Sequence, residues 1–310
     1  MQCRRRALLA AALCCCGPRV GGAAQNRDFK LDEVAPGVLV HRGLDEDFTP
    51  ENAGGIANLG VIVGKKAVAV VDSGGSLQEG EAFLRAIRAV TDLPIAYVVN
   101  THVHPDHLLG NDAFARSGAV VVGHAKLPER LAEAGPYYLD NMRRLLGPAF
   151  TGTELVQATM TVADTQVLDL GGRRLQLRAW PTAHTNTDLT VLDEQTGTLL
   201  TGDLLFIGRI PVVDGSLLGW LRVMDELEKM PVQRVVPGHG PTSAPWPAGG
   251  AAQRRYLEYL RDRVRDELKR NRTLEQAVDE VPMPLGDPWS LAADNHARNV
   301  TASYTELEWE

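Results

Sequence analysis

The chain has 310 residues, 44% of them hydrophobic, and a formal net charge of −7. That length carries one large α/β core or two modest ones. The acidic balance, with no basic cluster in the body, argues against nucleic acid as a partner. No apolar run reaches the roughly 18 residues expected of a membrane-spanning helix.

Residues 1–24 read as a secretory signal. Arg4, Arg5 and Arg6 make a positive start, residues 7–16 an apolar stretch, and Gly22-Ala23-Ala24 a small-residue cleavage site. All four cysteines (Cys3, Cys14, Cys15, Cys16) lie inside it. The mature chain then has no disulfide, no thiolate ligand and no cysteine nucleophile. Cleavage also removes four arginines, taking the net charge from −7 to −11. An exported, acidic, cysteine-free protein is expected in a bacterial periplasm or outside the cell.

Residues 37–42 read as a first strand and 45–55 as a polar loop holding Phe48. Residues 58–63 and 67–71 read as strands around a Gly64-Lys65-Lys66 turn, and Asp72-Ser73-Gly74-Gly75 ends the second. Residues 79–91 carry Phe83, Leu84, Ile87 and Val90 at helical spacing. A strand over 94–99 runs into a histidine-rich segment, followed by a helix near 110–116 and a strand over 119–122. This order predicts a layered α/β domain. Residues 125–160 predict helical stretches at 127–134 and 138–146, broken by Gly and Pro. Strands follow at 167–170, 174–179, 189–192 and 199–200, then a helix at 217–230 and a short strand at 234–236. The two strand-rich halves, about 37–123 and 165–239, can form facing sheets. The tail reads as helical: an amphipathic helix over 251–271, then Thr273 with Gln276 as a capping box.

Asn100-Thr101-His102-Val103-His104-Pro105-Asp106-His107 holds three of the eight histidines in the chain. A strand carrying His-x-His points both imidazoles to one side. A turn at Pro105 then lets Asp106 and His107 approach from another direction, so one segment can serve two adjacent metal ions. Imidazole with carboxylate suits zinc, with iron or manganese as alternatives. His184, Asp203 and His239 each lie just past a predicted strand, where loops display functional groups. Glycines beside the last two allow close backbone approach. His41, His124 and His296 stand alone and read as structural or surface residues.

Taken in order, His102-x-His104-x-Asp106-His107, His184, Asp203 and His239 resemble the full metal-site set of the metallo-β-lactamase superfamily. The resemblance covers about residues 35–245, and Asp72 matches a further position. It implies an α/β fold of the αββα four-layer sandwich type. A catalytic domain over 25–250 would carry a C-terminal helical extension, 251–310, packed upon it. It also implies two zinc ions per chain. His102, His104 and His184 would hold the first, Asp106, His107 and His239 the second, and Asp203 would bridge. Asp106 is then also the catalytic carboxylate that orients the attacking hydroxide. The implied reaction is hydrolysis of an ester, thioester or amide of a small molecule.

Arg42-Gly43-Leu44-Asp45, Thr49-Pro50-Glu51-Asn52 and Gly208-Arg209-Ile210-Pro211 are similar to exported metallohydrolases found alongside quinoprotein dehydrogenase systems. That likeness implies such a system as a partner. Arg209 and Phe48 are candidate substrate contacts on loops expected to overhang the metals. Three alternatives stay open: a β-lactamase, although Asp203 stands where one class has Cys; a mononuclear iron dioxygenase of the persulfide-oxidising kind; and a non-catalytic metal-binding accessory of a quinoprotein system.

Overall fold

The structure, a computed structural model, describes residues 29–310. The signal expected at 1–24 therefore lies outside the described residues. Seven strands pair in chain order to form the first sheet: β1 (Asp32–Ala35), β2 (Val38–His41), β3 (Leu59–Val63), β4 (Val68–Val71), β5 (Ile95–Val99), β6 (Val120–His124) and β7 (Met160–Val162). The first four run antiparallel, and β4 to β7 run parallel. The second sheet is built from β8 (Thr165–Asp169), β9 (Arg174–Ala179), β10 (Leu189–Asp193), β11 (Thr198–Phe206), β12 (Arg234–His239) and β13 (Ala244–Pro245), again in chain order. Here β11 and β12 are parallel neighbours.

Alternation of side chains along the strands produces the layers. Val68 and Val70 of β4 share an outer cluster with Phe83 and Ile87 of helix α1 (Leu77–Val90). Two short helices follow, α2 (Pro105–Leu108) and α3 (Asn111–Ala115), and Phe114 of α3 joins that cluster. Ala69 and Val71 point the other way, into an interior shared with Leu175, Leu177, Val191 and Leu200 of the second sheet. Leu199 and Val235 face outward again. They meet Trp220 and Met224 of α5 (Leu217–Glu228) and Leu257 and Leu260 of α6 (Ala251–Lys269). Ala277 of α7 (Leu274–Glu280) and Val300 of α8 (Ala292–Leu307) complete this layer. The result is the αββα sandwich with C-terminal helices expected from the sequence. No helix among the described residues is long and apolar enough to cross a membrane.

Several elements differ from expectation. The two helical stretches expected within 125–160 are one 20-residue helix, α4 (Leu127–Leu146), with Pro136 inside it. Proline removes one backbone donor. Leu127, Leu131, Met142 and Leu146, from both halves, bury against Val103, Leu108 and Leu109, and this shared apolar stripe keeps the helix whole. Strands β1, β7 and β13 carry no strong local signal in the sequence, and α8 falls within the helical extension expected over 251–310. The capping box at Thr273 and Gln276 is present, with both hydrogen bonds made.

At the edge opposite the carboxyl end of β4, Arg173 clamps the two sheets together. Its Nε and Nη2 donate to Asp193 Oδ1 and Oδ2 at 2.9 and 2.7 Å. It also donates to the carbonyls of Val63 and Pro36 at 2.9 and 3.0 Å. Both side chains are buried. Burial pushes the Asp193 carboxyl up, but hydrogen bonds from Arg173 and Thr196 outweigh it and hold the group below its usual value. Replacing Arg173 by Met leaves a buried carboxylate unpaired and should cost about 3–5 kcal/mol, read from urea unfolding at pH 7. A folded pKa below the unfolded one contributes stability above the unfolded value and loses it as pH falls through the folded one. Wild-type stability should therefore fall below about pH 4 more steeply than that of Arg173→Met. Matching acid limbs in the two proteins would count against this pair.

Candidate metal centre

Parallel pairing of β4 with β5, and of β11 with β12, brings their carboxyl ends to one edge of the sandwich. Asp72 directly follows β4, and the His102–His107 segment follows β5. His184 lies in the β9–β10 loop, and His239 is the last residue of β12. Three placements correct the sequence reading, the first being His239, which lies within β12 and not past it. His102 and His104 are not on a strand, because β5 ends at Val99 and the Thr101 N–H goes to Asp72 Oδ1 at 2.8 Å. The rings still share a side, since Val103 between them is fully buried in the opposite direction, with Leu108. Asp203 lies within the nine-residue β11 and not past it. Gly202, at φ +53, sits where a Cβ would strike the Thr101 side chain, and strand pairing is irregular on either side of it. Only glycine permits that approach. At Gly238 a Cβ would collide with Asp203 Oδ1, so both expected glycines serve close packing.

The seven expected residues converge in two groups, His102/His104/His184/Asp203 and Asp106/His107/His239. His102 Nε2 and His184 Nε2 each lie 3.0 Å from His104 Nδ1. They stand 3.7 and 3.5 Å from Asp203 Oδ2. In the second group, His107 Nε2 and His239 Nε2 lie 3.4 and 3.3 Å from Asp106 Oδ2. Asp203 reaches this group too, with Oδ1 at 3.2 Å from His107 Nε2 and Oδ2 at 3.3 Å from His239 Nε2. A tetrahedral ion with arms of about 2.0–2.1 Å has ligand–ligand edges of about 3.3–3.4 Å. The donor sets fit a dinuclear metal site with Asp203 between the two positions. Of five buried side-chain polar atoms without a hydrogen bond among the described residues, two, His107 Nε2 and Asp203 Oδ1, lie in this space. Leaving them bare would cost about 1–3 kcal/mol each, so their placement favours a cation.

Hydrogen bonds behind the rings decide which nitrogen is free, with protons assigned from the partners. His104 Nε2 donates to Asp214 Oδ2 at 3.0 Å, and His107 Nδ1 to Asp72 Oδ2 at 2.8 Å. His184 Nδ1 donates to the Val212 carbonyl at 2.7 Å, and His239 Nδ1 to that of Ile56 at 2.9 Å. The Thr101 hydroxyl donates to Asp72 Oδ2 at 2.8 Å, so its oxygen accepts from His102 Nδ1 at 3.0 Å. All five rings thus aim their second nitrogen inward, and in the neutral ring that nitrogen carries a lone pair.

Electrostatics divides the groups. Burial, aided by the neighbouring histidines, holds His102 well below its usual value and His184 at about 4. These rings stay neutral and ready to ligate. Burial also opposes charge on His107, but Asp203, Asp106 and Asp72 around it prevail and hold it well above its usual value. Burial likewise opposes ionised Asp106 and Asp203, yet the adjacent histidines hold both well below the carboxylate range. Burial is outweighed at His239 as well, chiefly by Asp203, and this ring too is raised. The carboxylates at the second group therefore favour positive charge beside them, carried by protons on His107 and His239 or by a metal ion in their place.

Further residues support the site without appearing in any motif. Asn299 of α8 accepts from Val213 N at 2.9 Å and donates to the Pro211 carbonyl at 2.7 Å. Glu306 of α8 accepts from Ser216 Oγ and Leu217 N at 2.6 Å each. The loop they hold carries Val212 and Asp214, the partners of His184 and His104. Arg209 is buried, with Nη1 donating to the Glu46 carbonyl at 3.0 Å. Phe48 is partly buried against the cluster containing Val103 and Leu108. His41, His124 and His296 stay outside both groups. They bond to the Lys30 carbonyl, the Lys126 N–H, and Tyr256 with the Val281 carbonyl, respectively.

Residues 53–239 match the family model described as the metallo-β-lactamase superfamily. The chain belongs to that superfamily. Its fold resembles a metallo-β-lactamase from Pontibacter korlensis, with TM-score 0.61, 20% identity, and 74% of this chain and 98% of that one covered. It also resembles a stereoselective inverting sec-alkylsulfatase from Pseudomonas sp., with TM-score 0.67, 19% identity, and 89% and 50% covered. At these identities the likeness establishes the fold. In sequence, 94 residues are 32% identical to a linear primary-alkylsulfatase from Pseudomonas sp., covering 29% of this chain and 17% of that protein. The chain thus spans a small part of that relative and half the length of the sec-alkylsulfatase.

Removing the carboxylate behind His104 should weaken the first group selectively. Asp214→Ala should lower its metal affinity about 10–100-fold, with Asp214→Asn milder because an acceptor remains. Competition against a chromophoric chelator resolves the two binding steps, and equal affinities in all three proteins would contradict this role.

Proposed function

We propose that this superfamily hydrolase works with two zinc ions on an ester, thioester or amide of a small molecule. The observation that carries the reading is the inward aim of five imidazole nitrogens around two ionised carboxylates, each ring locked from behind by a hydrogen bond on its other nitrogen. His102, His104 and His184 would hold the first zinc, Asp106, His107 and His239 the second, and Asp203 would face both. When bound, the pair supplies Lewis acidity and lowers the pKa of water in the site to about 7. Asp106, kept ionised by His107 and His239, would orient the attacking water and take up its proton. Asp72 and Asp214 keep the rings from turning, so the site is organised before substrate arrives.

The stretch shared with a linear primary-alkylsulfatase adds sulfate esters to the substrate classes worth testing. The reading also includes export, with residues 1–24 as a cleaved signal, and association with a quinoprotein system. A mononuclear iron dioxygenase is the competing reading, because the first group alone could hold one iron.

Metal analysis of the signal-free protein should find about two zincs per chain, and one iron instead would favour the competitor. His104→Ala and Asp106→Ala should each lower activity on any hydrolysed ester by more than about 100-fold, beyond the effect of an outer partner, and should lower metal content. Activity retained in both variants would sink the metallohydrolase reading.

A further inference from the structure

A cavity of about 320 Å³ opens beside the first metal group, lined by Arg130, Thr182, Thr185, Asn186, Asp214 and Gly215. It adjoins the centre directly, since Asp214 receives the His104 hydrogen bond and Thr185 follows His184. Its lining is a guanidinium, two hydroxyls, an amide, a carboxylate and a glycine. Such walls gain nothing from an alkyl chain and can satisfy a polar group. We propose that this cavity binds an anionic group of the substrate, a carboxylate or sulfate, through Arg130 with Thr182 and Asn186 as neutral donors. The proposal rests on the hydrolase reading and specifies which substrates it favours.

Three observations carry it. Arg130 stands in the first turn of α4, partly exposed, and its one ion pair among the described residues is with Glu133 at 3.4 Å. That carboxylate is 62% exposed, so the contact is weak and most of the guanidinium donors remain available. Among the described residues, the side chains of Thr182 and Asn186 make no hydrogen bond within the protein, so their donors are free for a ligand. Arg209, by contrast, is buried and already donates to Glu46. In a chain this acidic, Arg130 places a cation in the cavity lining, where, among the described residues, Asp214 is the one carboxylate. Asp214 spends Oδ2 on His104 and limits the anion to the Arg130 end of the cavity. A scissile bond over the metals, joined by a short linker to a carboxylate under α4, satisfies both ends.

The metal-loaded protein should be assayed with p-nitrophenyl acetate and with mono-p-nitrophenyl glutarate, which adds a free carboxylate. The wild type should prefer the glutarate ester in kcat/KM. Arg130→Ala should reduce that preference about tenfold or more, as expected for a lost charged hydrogen bond, and Arg130→Lys should restore part of it. Asn186→Asp, which keeps Arg130 but puts a negative charge in the cavity, should reduce the preference too, and it serves if the alanine variant does not fold. An unchanged preference in these variants overturns the subsite. If the wild type hydrolyses neither ester, the hydrolase reading for these esters fails and the subsite is decided by calorimetric titration with glutarate. Affinity about tenfold weaker in Arg130→Ala supports it, and equal affinity overturns it.

Discussion

The Asp72 carboxylate sets the metal centre. It stands at the end of β4 with φ +60, a left-handed conformation that aspartate tolerates better than most residues. From there it receives the Thr101 backbone N–H, the Thr101 hydroxyl and His107 Nδ1. The first bond turns the chain out of β5, the second fixes the His102 tautomer, and the third fixes that of His107. One buried acid thus orients a ring in each metal group. Because β4 and β5 are parallel neighbours, the sheet itself delivers Asp72 to Thr101.

The rings that Asp72 does not reach are held by backbone and by one more acid. His239 leans on the Ile56 carbonyl, His184 on that of Val212, and His104 on Asp214. Ile56 belongs to the loop before β3, in the first sheet, so closing the sandwich also sets His239, which comes from the second. Val212 and Asp214 belong to a loop tied down by Asn299 and Glu306, more than eighty residues later in the chain. The C-terminal helix is therefore part of what orients the first metal group, although none of its residues enters either group.

Much of this was legible along the chain. Strand–helix alternation marked the layers, and the His102–His107 segment with His184, Asp203 and His239 marked the donors, because metal-binding side chains are few and their types are diagnostic. The boundaries were less legible. Residues 125–160 read as broken helices since Gly135 and Pro136 are local breakers, and only the stripe from Leu127 to Leu146 packing on Leu108 overrides them. Asp203 read as a loop residue because Gly202 looks like a strand end, whereas the neighbouring β12 carries β11 on to Phe206. Arg130, Asp214 and Asn299 carried no signal, since an arginine, an aspartate and an asparagine on polar segments look alike until something packs beside them.

What the sequence by itself determined is the set of groups capable of the chemistry, the alternating patterns that bury two sheets, and the order in which strands and helices follow one another. Local residue type and period suffice for those. The tertiary structure alone decided which ring nitrogen each histidine presents, that Asp203 faces both groups, and that Arg130 lines the cavity beside the first group while Arg209 is buried. Each of these depends on contacts between residues tens to hundreds of positions apart, and such contacts exist only once the two sheets and the C-terminal helices have closed on one another.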